Sequence, residues 1–294
     1  MDKVNCLARL TLKEQMKDID NMMNHFPEYS PLIHLHRDIL QILLPLEDQS
    51  ILSANAYIKK EGTQKIVERA ISEKKHISSF LNINFLDKET IQTIVKEISH
   101  VILKNIIDAN GLEYLINSLE HNEIHALDGV VAFHQADIRW ITKINKKYGF
   151  DEASLLFIFS KPLQPFHEEL ARIFDKELSK KMEIPFCPIC GQIPVVARVK
   201  ERKRFMTCMY CGAEYMVDQF TCQYCGNNDP NTLGFIIFEP HREYELNYCE
   251  KCKHYIKIIH ENKEKKKIPK GLEDIITQHI DILAKKQDDT LIRA

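Results

Sequence analysis

Cys187-Pro-Ile-Cys190-Gly191, Cys208-Met-Tyr-Cys211-Gly212, Cys222-Gln-Tyr-Cys225-Gly226 and Cys249-Glu-Lys-Cys252-Lys253 decide the fold of this 294-residue chain. They hold eight of its nine cysteines, as four pairs with the same two-residue gap. A Cys-x-x-Cys turn brings two sulfurs to one ion, so two pairs complete a tetrahedral site and four pairs complete two sites. In three pairs a glycine follows the second cysteine, where the chain turns back so that N–H groups face sulfur and a left-handed residue is needed. The fourth pair has Lys253 there, a cation beside the thiolates.

Spacing does not fix which pairs share an ion. Sequential pairing joins Cys187, Cys190, Cys208 and Cys211 as one site and Cys222, Cys225, Cys249 and Cys252 as the other. Interleaved pairing would tie the two halves together as a cross-brace. Four thiolates suit zinc and suit a single iron equally, so two ions of zinc or iron are expected. With every ligand supplied by protein, neither ion keeps a position for water or substrate, which argues against metal-assisted hydrolysis. A redox-active disulfide is the competing reading, but it calls for a βαβ setting that the pattern lacks.

Around the cysteines the residue pattern has the two-residue period of strands. Val195–Val199, Arg204–Thr207, Glu214–Phe220, Leu233–Phe238, Arg242–Tyr248 and Tyr255–Ile259 are short β-branched or aromatic runs. Modules of about 35 residues bury too little surface to hold together, so a metal in each is the expected staple.

Upstream the period is helical. Thr11-Leu-Lys-Glu14 reads as a capping box ahead of Leu12, Met16, Ile19 and Met23 on one face. Phe26-Pro27 stops that helix, and Ser30-Pro31 starts another as N-cap and first residue, with Leu32, Leu35, Ile39, Ile42 and Leu43 as its stripe. One or two helices broken near Gly62 follow. Asp87 caps a helix bearing Ile91, Ile94, Val95, Ile98, Ile102 and Ile106, and a short one covers Leu112–Leu119. Asn122 is expected to cap a long helix carrying Leu127, Val131, His134, Ile138 and Ile141 that ends at Gly149. Two more helical stretches, divided by Pro162 and Pro165, fill 151–182, and Gly271–Lys286 forms a last amphipathic helix. The fold class is therefore α+β. An all-helical N-terminal bundle spans 1–185. Two four-cysteine, zinc-ribbon-like β modules span 186–262, dividing into about 186–220 and 221–262. A lysine-rich connector and C-terminal helix fill 263–294.

Charge excludes little except a phosphate lure. The net charge is −2, with −4 over 1–186 (23 basic, 27 acidic) and +1 in each of 187–260 and 261–294. Arg202-Lys-Arg204 and the 263–267 lysines are offset by nearby acids and read as solvated. The N-terminus lacks a secretory plan and no apolar run spans a membrane, so a cytoplasmic protein with reduced thiols is expected. His121-Asn-Glu-Ile-His125 displaces the glutamate of a His-Glu-x-x-His helix and reads as surface. His134 reads as a satisfied core histidine and Trp140 as core or interface anchor. Cys6 has no assigned role. No catalytic constellation appears, and the sequence sets no oligomeric state.

Leu163-Gln-Pro-Phe-His-Glu-Glu-Leu-Ala171, Met206-Thr-Cys-Met-Tyr-Cys-Gly212, Phe220-Thr-Cys-Gln-Tyr-Cys-Gly-Asn227 and Glu245-Leu-Asn-Tyr-Cys-Glu-Lys-Cys-Lys-His-Tyr-Ile-Lys257 resemble the formate dehydrogenase accessory proteins of the FdhE type. The likeness runs over about 26–262, beginning at Phe26-Pro-Glu-Tyr-Ser-Pro-Leu32, and is specific in the cysteine region. It implies two rubredoxin-like modules behind a helical domain, with iron as the metal proposed for the family. It also implies a non-catalytic, cytoplasmic maturation factor that binds the catalytic subunit of a formate dehydrogenase. Ile184-Pro-Phe186 departs from the tryptophan–glycine approach expected before the first knuckle, and the C-terminal helix is extra. The competing functions are a rubredoxin-like electron donor to that enzyme and a ribbon-type nucleic-acid binder. The near-neutral charge of the cysteine region argues against nucleic acid.

Overall fold

The computed structural model describes residues 10–105, 111–149, 152–178, 184–239, 241–287 and 290–293. Cys6, Ile106 and Phe150 lie outside them. The architecture is α+β, with helices up to Leu178, then one sheet carrying both cysteine groups, then helices again.

The helices are α1 (Leu12–Met22), α2 (Ser30–Leu43), α3 (Glu47–Glu61), α4 (Thr63–Glu73), α5 (Lys88–Asn105) and α6 (Leu112–Glu120). They continue with α7 (Ala126–His134), α8 (Ile138–Tyr148), α9 (Glu152–Ser160), α10 (Gln164–Ile173) and α11 (Asp175–Leu178). The capping box forms as expected: Glu14 N–H donates to Thr11 and the Glu14 carboxylate accepts from Thr11 N–H. Asp87 Oδ2 accepts from Thr90 N–H at the start of α5, whose Ile91, Ile94, Val95, Ile98 and Ile102 are all buried.

Three local expectations in the N-terminal helices fail, each for a visible reason. Ser30 does not cap α2, because the 3-10 turn Pro27–Tyr29 runs straight into the helix and Ser30 is already helical. Asn122 does not cap α7. It takes a left-handed conformation (φ 56°) and closes α6, where Glu123 and Ile124 N–H both donate to the Ser118 carbonyl. The long helix expected over 122–149 is broken at Gln135–Asp137: Ala136 sits at φ 52° and the Asp137 carboxylate caps α8 through Arg139 N–H. The C-terminal helix likewise divides at Thr277 into α12 (Glu273–Ile276) and α13 (Gln278–Gln287).

All six expected strands form: β1 (Val196–Lys200), β2 (Lys203–Thr207), β3 (Glu214–Val217), β4 (Leu233–Ile237), β5 (Tyr244–Cys249) and β6 (His254–His260). A seventh, β7 (Ile292–Arg293), pairs parallel to β6. The sheet order is β3-β2-β1-β6-β5-β4. Each module contributes an antiparallel three-stranded set, and the parallel pairing of β1 with β6, from Val196 opposite Lys257 to Val199 opposite His260, fuses the two sets.

One sheet face, with Arg198, Leu246, Tyr255, Lys257 and Ile259, is covered by the C-terminal segment and the helical core. Leu272, Ile276, Ile280 and Ala284 bury their side chains there. Polar clamps hold the segment down. Lys257, fully buried, pairs with Asp274 at 2.6 Å and Asp281 at 2.8 Å, and Arg198 pairs with Glu264 at 2.9 Å and Glu273 at 3.2 Å. The connector is therefore not simply solvated: Glu264 and Ile268 are anchored, and Lys266 Nζ donates to the His25 carbonyl at 3.0 Å. On the other face Ala197, Met206, Tyr215, Ile256 and Ile258 join a second core with Phe166, Leu170, Phe174 and Leu178.

Candidate metal centres

The four sulfurs of Cys187, Cys190, Cys208 and Cys211 lie within 4.8 Å of one another, as do those of Cys222, Cys225, Cys249 and Cys252. The grouping is sequential, not interleaved. Cys187 and Cys211 sulfurs are 3.6 Å apart, Cys190 and Cys208 3.6 Å, Cys222 and Cys252 3.6 Å, and Cys225 and Cys249 3.8 Å. A disulfide would need about 2.05 Å. A tetrahedron with zinc–sulfur bonds of about 2.3 Å has edges of about 3.8 Å, which these separations match. Each group could hold a metal ion.

The knuckles share one backbone design. Gly191 N–H donates to the Cys187 carbonyl (2.9 Å), Gly212 to Cys208 (2.8 Å), Gly226 to Cys222 (3.0 Å) and Lys253 to Cys249 (2.8 Å). All four donors have positive φ: 80°, 64°, 72° and, for the lysine, 61°. Lys253 thus meets the same backbone demand that glycine meets elsewhere.

The two centres differ in setting. The first is enclosed, with all four cysteines buried. Its first knuckle is hydrogen-bonded to the 3-10 turn Ile77–Phe80, Ile77 N–H to the Pro188 carbonyl at 2.8 Å and Ser78 N–H to the Ile189 carbonyl at 2.9 Å. Tyr210 donates to the Ser160 carbonyl at 2.6 Å and sits 3.2 Å from His167 Nδ1, linking the second knuckle to α9 and α10. Burial pushes the Cys190 and Cys211 thiols well up, whereas hydrogen bonds from Cys187, Cys190 and Cys211 hold Cys208 well below the ordinary thiol range. Four thiolates in so dry a site require a cation.

The second centre reaches the surface. Cys222 and Cys249 are buried, Cys252 is half-buried and Cys225 is exposed. Asn227 Nδ2 donates to Cys249 Sγ at 3.4 Å and to Thr232 Oγ1 at 2.8 Å. Tyr224 donates to the Pro194 carbonyl at 3.0 Å, tying this knuckle to the first module.

Sequence reading missed the partners His167, Tyr210, Tyr224 and Asn227, and His76, whose ring lies against Gly191 of the first knuckle. Its one signal was the Tyr-Cys-Gly repeated in the second and third knuckles. His121 and His125 belong to neither cluster. His134 is a satisfied histidine, with Nε2 2.9 Å from the Leu81 carbonyl, and Trp140 stacks edge-on against Phe159 at 5.3 Å.

No family model matches the chain. It is 26% identical over 190 residues to the protein named FdhE homolog of Aquifex aeolicus (strain VF5), a match covering 63% of this chain and 64% of that relative. Its fold matches the crystal structure of the FdhE protein from Pseudomonas aeruginosa, with a TM-score of 0.57 over 95% of this chain and 92% of that one, at 13% identity. In sequence the chain is similar to a protein named FdhE homolog, and in fold to an FdhE protein. It therefore spans about 64% of the length of the curated relative it matches. Among the described residues no helix is long and apolar enough to cross a membrane.

Proposed function

We propose that the protein is a non-catalytic accessory factor that binds the immature catalytic subunit of a formate dehydrogenase, in the cytoplasm, and is needed for that enzyme's activity. The observation that carries this reading is two saturated four-sulfur clusters in an FdhE-type chain, with no ligand position open for a substrate. Cys187, Cys190, Cys208 and Cys211 would hold one zinc or iron ion and Cys222, Cys225, Cys249 and Cys252 the other. When bound, each ion supplies cross-linking of its β module. The chain's own residues do the rest: the helical unit 1–185 and the segment 263–294 brace the 186–262 modules into a rigid surface. Capture of the catalytic subunit by the tagged, metal-loaded protein tests the reading. Absence of binding, together with undiminished formate oxidation in a strain lacking the protein, overturns it.

One feature favours electron transfer as a second reading. Cys225 is exposed and Cys252 half-exposed, so an iron in the second centre would sit at the edge of the molecule. That reading requires iron and reversible one-electron chemistry, and a colourless, zinc-loaded protein purified without oxygen refutes it.

A further inference from the structure

The sheet face opposite the C-terminal helices is only partly covered. Beside the second centre it opens into a groove of about 600 Å³. Ile256 and Ile258 form its floor, and Gln219–Tyr224 forms one wall. Its rim is apolar yet wet: Phe220 is 72% exposed and Phe235 66%, and Ile237, next along the same face of β4, is 49% exposed. Among the described residues the outer edge of β4 pairs with no strand. Soluble proteins seldom leave an apolar strand edge uncovered without a partner for it.

The groove also holds one under-compensated cation. Arg204 reaches across the sheet to the Asn247 side-chain oxygen, and its Nε is buried with no hydrogen-bond partner. Arg202 and Lys203 are exposed, as expected of a solvated face, and Arg204 departs from that expectation. Among the described residues no carboxylate lies within ion-pair distance of Arg204. Glu245, which lines the groove, is engaged by His260 at 3.0 Å and by Asn247. Burial holds the Arg204 guanidinium below its ordinary range against the pull of Glu245, Asp218 and the Cys222 thiolate. A half-buried guanidinium whose Nε is buried without a partner, and whose hydrogen bond goes to a neutral amide, favours an anion beside it.

We infer that this groove docks an extended polypeptide segment of the partner, with an apolar side chain between Phe220 and Phe235 and a carboxylate on Arg204. A small anion would satisfy Arg204 but would leave Phe220, Phe235 and Ile237 in water. A segment running along β4 covers all three and uses the free strand edge. The inference rests on the proposed function for the partner's identity, the formate dehydrogenase catalytic subunit.

The test measures binding of that subunit, and of overlapping 15-residue peptides from it, to wild type, to a Phe220→Ser/Phe235→Ser double variant and to Arg204→Gln. The first two substitutions lie on the surface, so metal content and fold should be unchanged while affinity falls at least tenfold. Arg204→Gln should abolish the preference of the binding peptide over its Asp→Asn or Glu→Gln counterpart. If wild type captures the subunit and the double variant captures it equally, the groove is not the dock and the accessory reading stands. If wild type captures nothing, both fall. If wild type is a dimer that the double variant converts to monomers, the groove is a self-interface and the inference is wrong.

Discussion

The knuckle residues offer a test in which geometry assigns different costs to chemically identical changes. Gly191, Gly212 and Gly226 all have φ between 64° and 80°, so alanine at any of them meets the left-handed penalty of about 1–2 kcal/mol. At Gly212 and Gly226 nothing lies within 4 Å of the added methyl, and that penalty is the whole cost. It corresponds to about 5- to 30-fold in metal affinity. At Gly191 the added carbon would lie 2.6 Å from His76 Cδ2 and 2.9 Å from its Nε2. That ring cannot simply withdraw, because Ser78 Oγ holds Nδ1 at 2.9 Å and the next two residues are hydrogen-bonded to the knuckle itself. Overpacking of this kind adds about 1–3 kcal/mol, so Gly191→Ala should cost about 2–5 kcal/mol in total.

Chelator titration followed by native mass spectrometry reads each variant's metal retention, and urea unfolding reads its stability. Adding His76→Ala to Gly191→Ala should return the cost to that of Gly212→Ala. Lys253→Gly, relieving the one non-glycine residue at φ 61°, should tighten the second centre by less than about 1 kcal/mol, since glycine's larger unfolded-state entropy offsets most of the gain. Equal losses from Gly191→Ala and Gly212→Ala would refute the argument that the first knuckle is packed against the helical domain.

Other outcomes follow from the same structure. Cys190→Ser and Cys222→Ser should each remove one metal and the double variant both; a double variant that retains one full-affinity ion would contradict sequential grouping. Lys257→Met removes one partner of Asp274 and Asp281, which keep Arg293 and, for Asp281, the Tyr255 hydroxyl, and should destabilise by about 1.5–3 kcal/mol in urea, with C-terminal protease sensitivity rising in step. Burial depresses the His167 imidazole to about 3, so it stays neutral in the folded protein while the unfolded chain titrates near 6.5. Its contribution is fully present above about pH 6.5 and is lost as pH falls from there towards 3, at about 1.4 kcal/mol per unit. His167→Gln at matched metal loading should flatten that part of the stability–pH curve, and an unchanged slope would count against it.

The parts of the fold legible in sequence were those with a local cause. The Cys-x-x-Cys spacing and its glycines fixed the knuckles, the two-residue period between them fixed all six longer strands, and Thr11 with Glu14 fixed the first helix start. Missed features had local signals pointing elsewhere. Leu127, Val131, His134, Ile138 and Ile141 keep a 3–4 spacing straight through the break at Ala136, and no glycine or proline marks the turn, yet that stripe is not the buried face: Ile138 is exposed, Leu127, Val131 and His134 are half-buried, and α7 instead buries Ala126, Gly129, Val130 and Ala132. Asn122 carries the chemistry of either cap, and only the hydrogen bonds to Ser118 decide which helix it serves.

The joining of the two modules belongs to a different class. Parallel pairing of β1 with β6 brings together residues about sixty apart, and no turn residue between them encodes it. It has a consequence for function. Two independent ribbons would leave strand edges at β1 and β6 and would let each metal act alone. One sheet converts those edges into interior pairings, leaves the outer edge of β4 open, among the described residues, beside the exposed second centre, and buries the first centre against helices that also pack the sheet. Loss of the first ion should therefore loosen the whole sheet, whereas loss of the second should disturb mainly β4, β5 and the groove between Phe220 and Phe235. Hydrogen exchange on Cys190→Ser and Cys222→Ser separates these cases, and equal, confined deprotection in both would show that the shared sheet does not couple the centres.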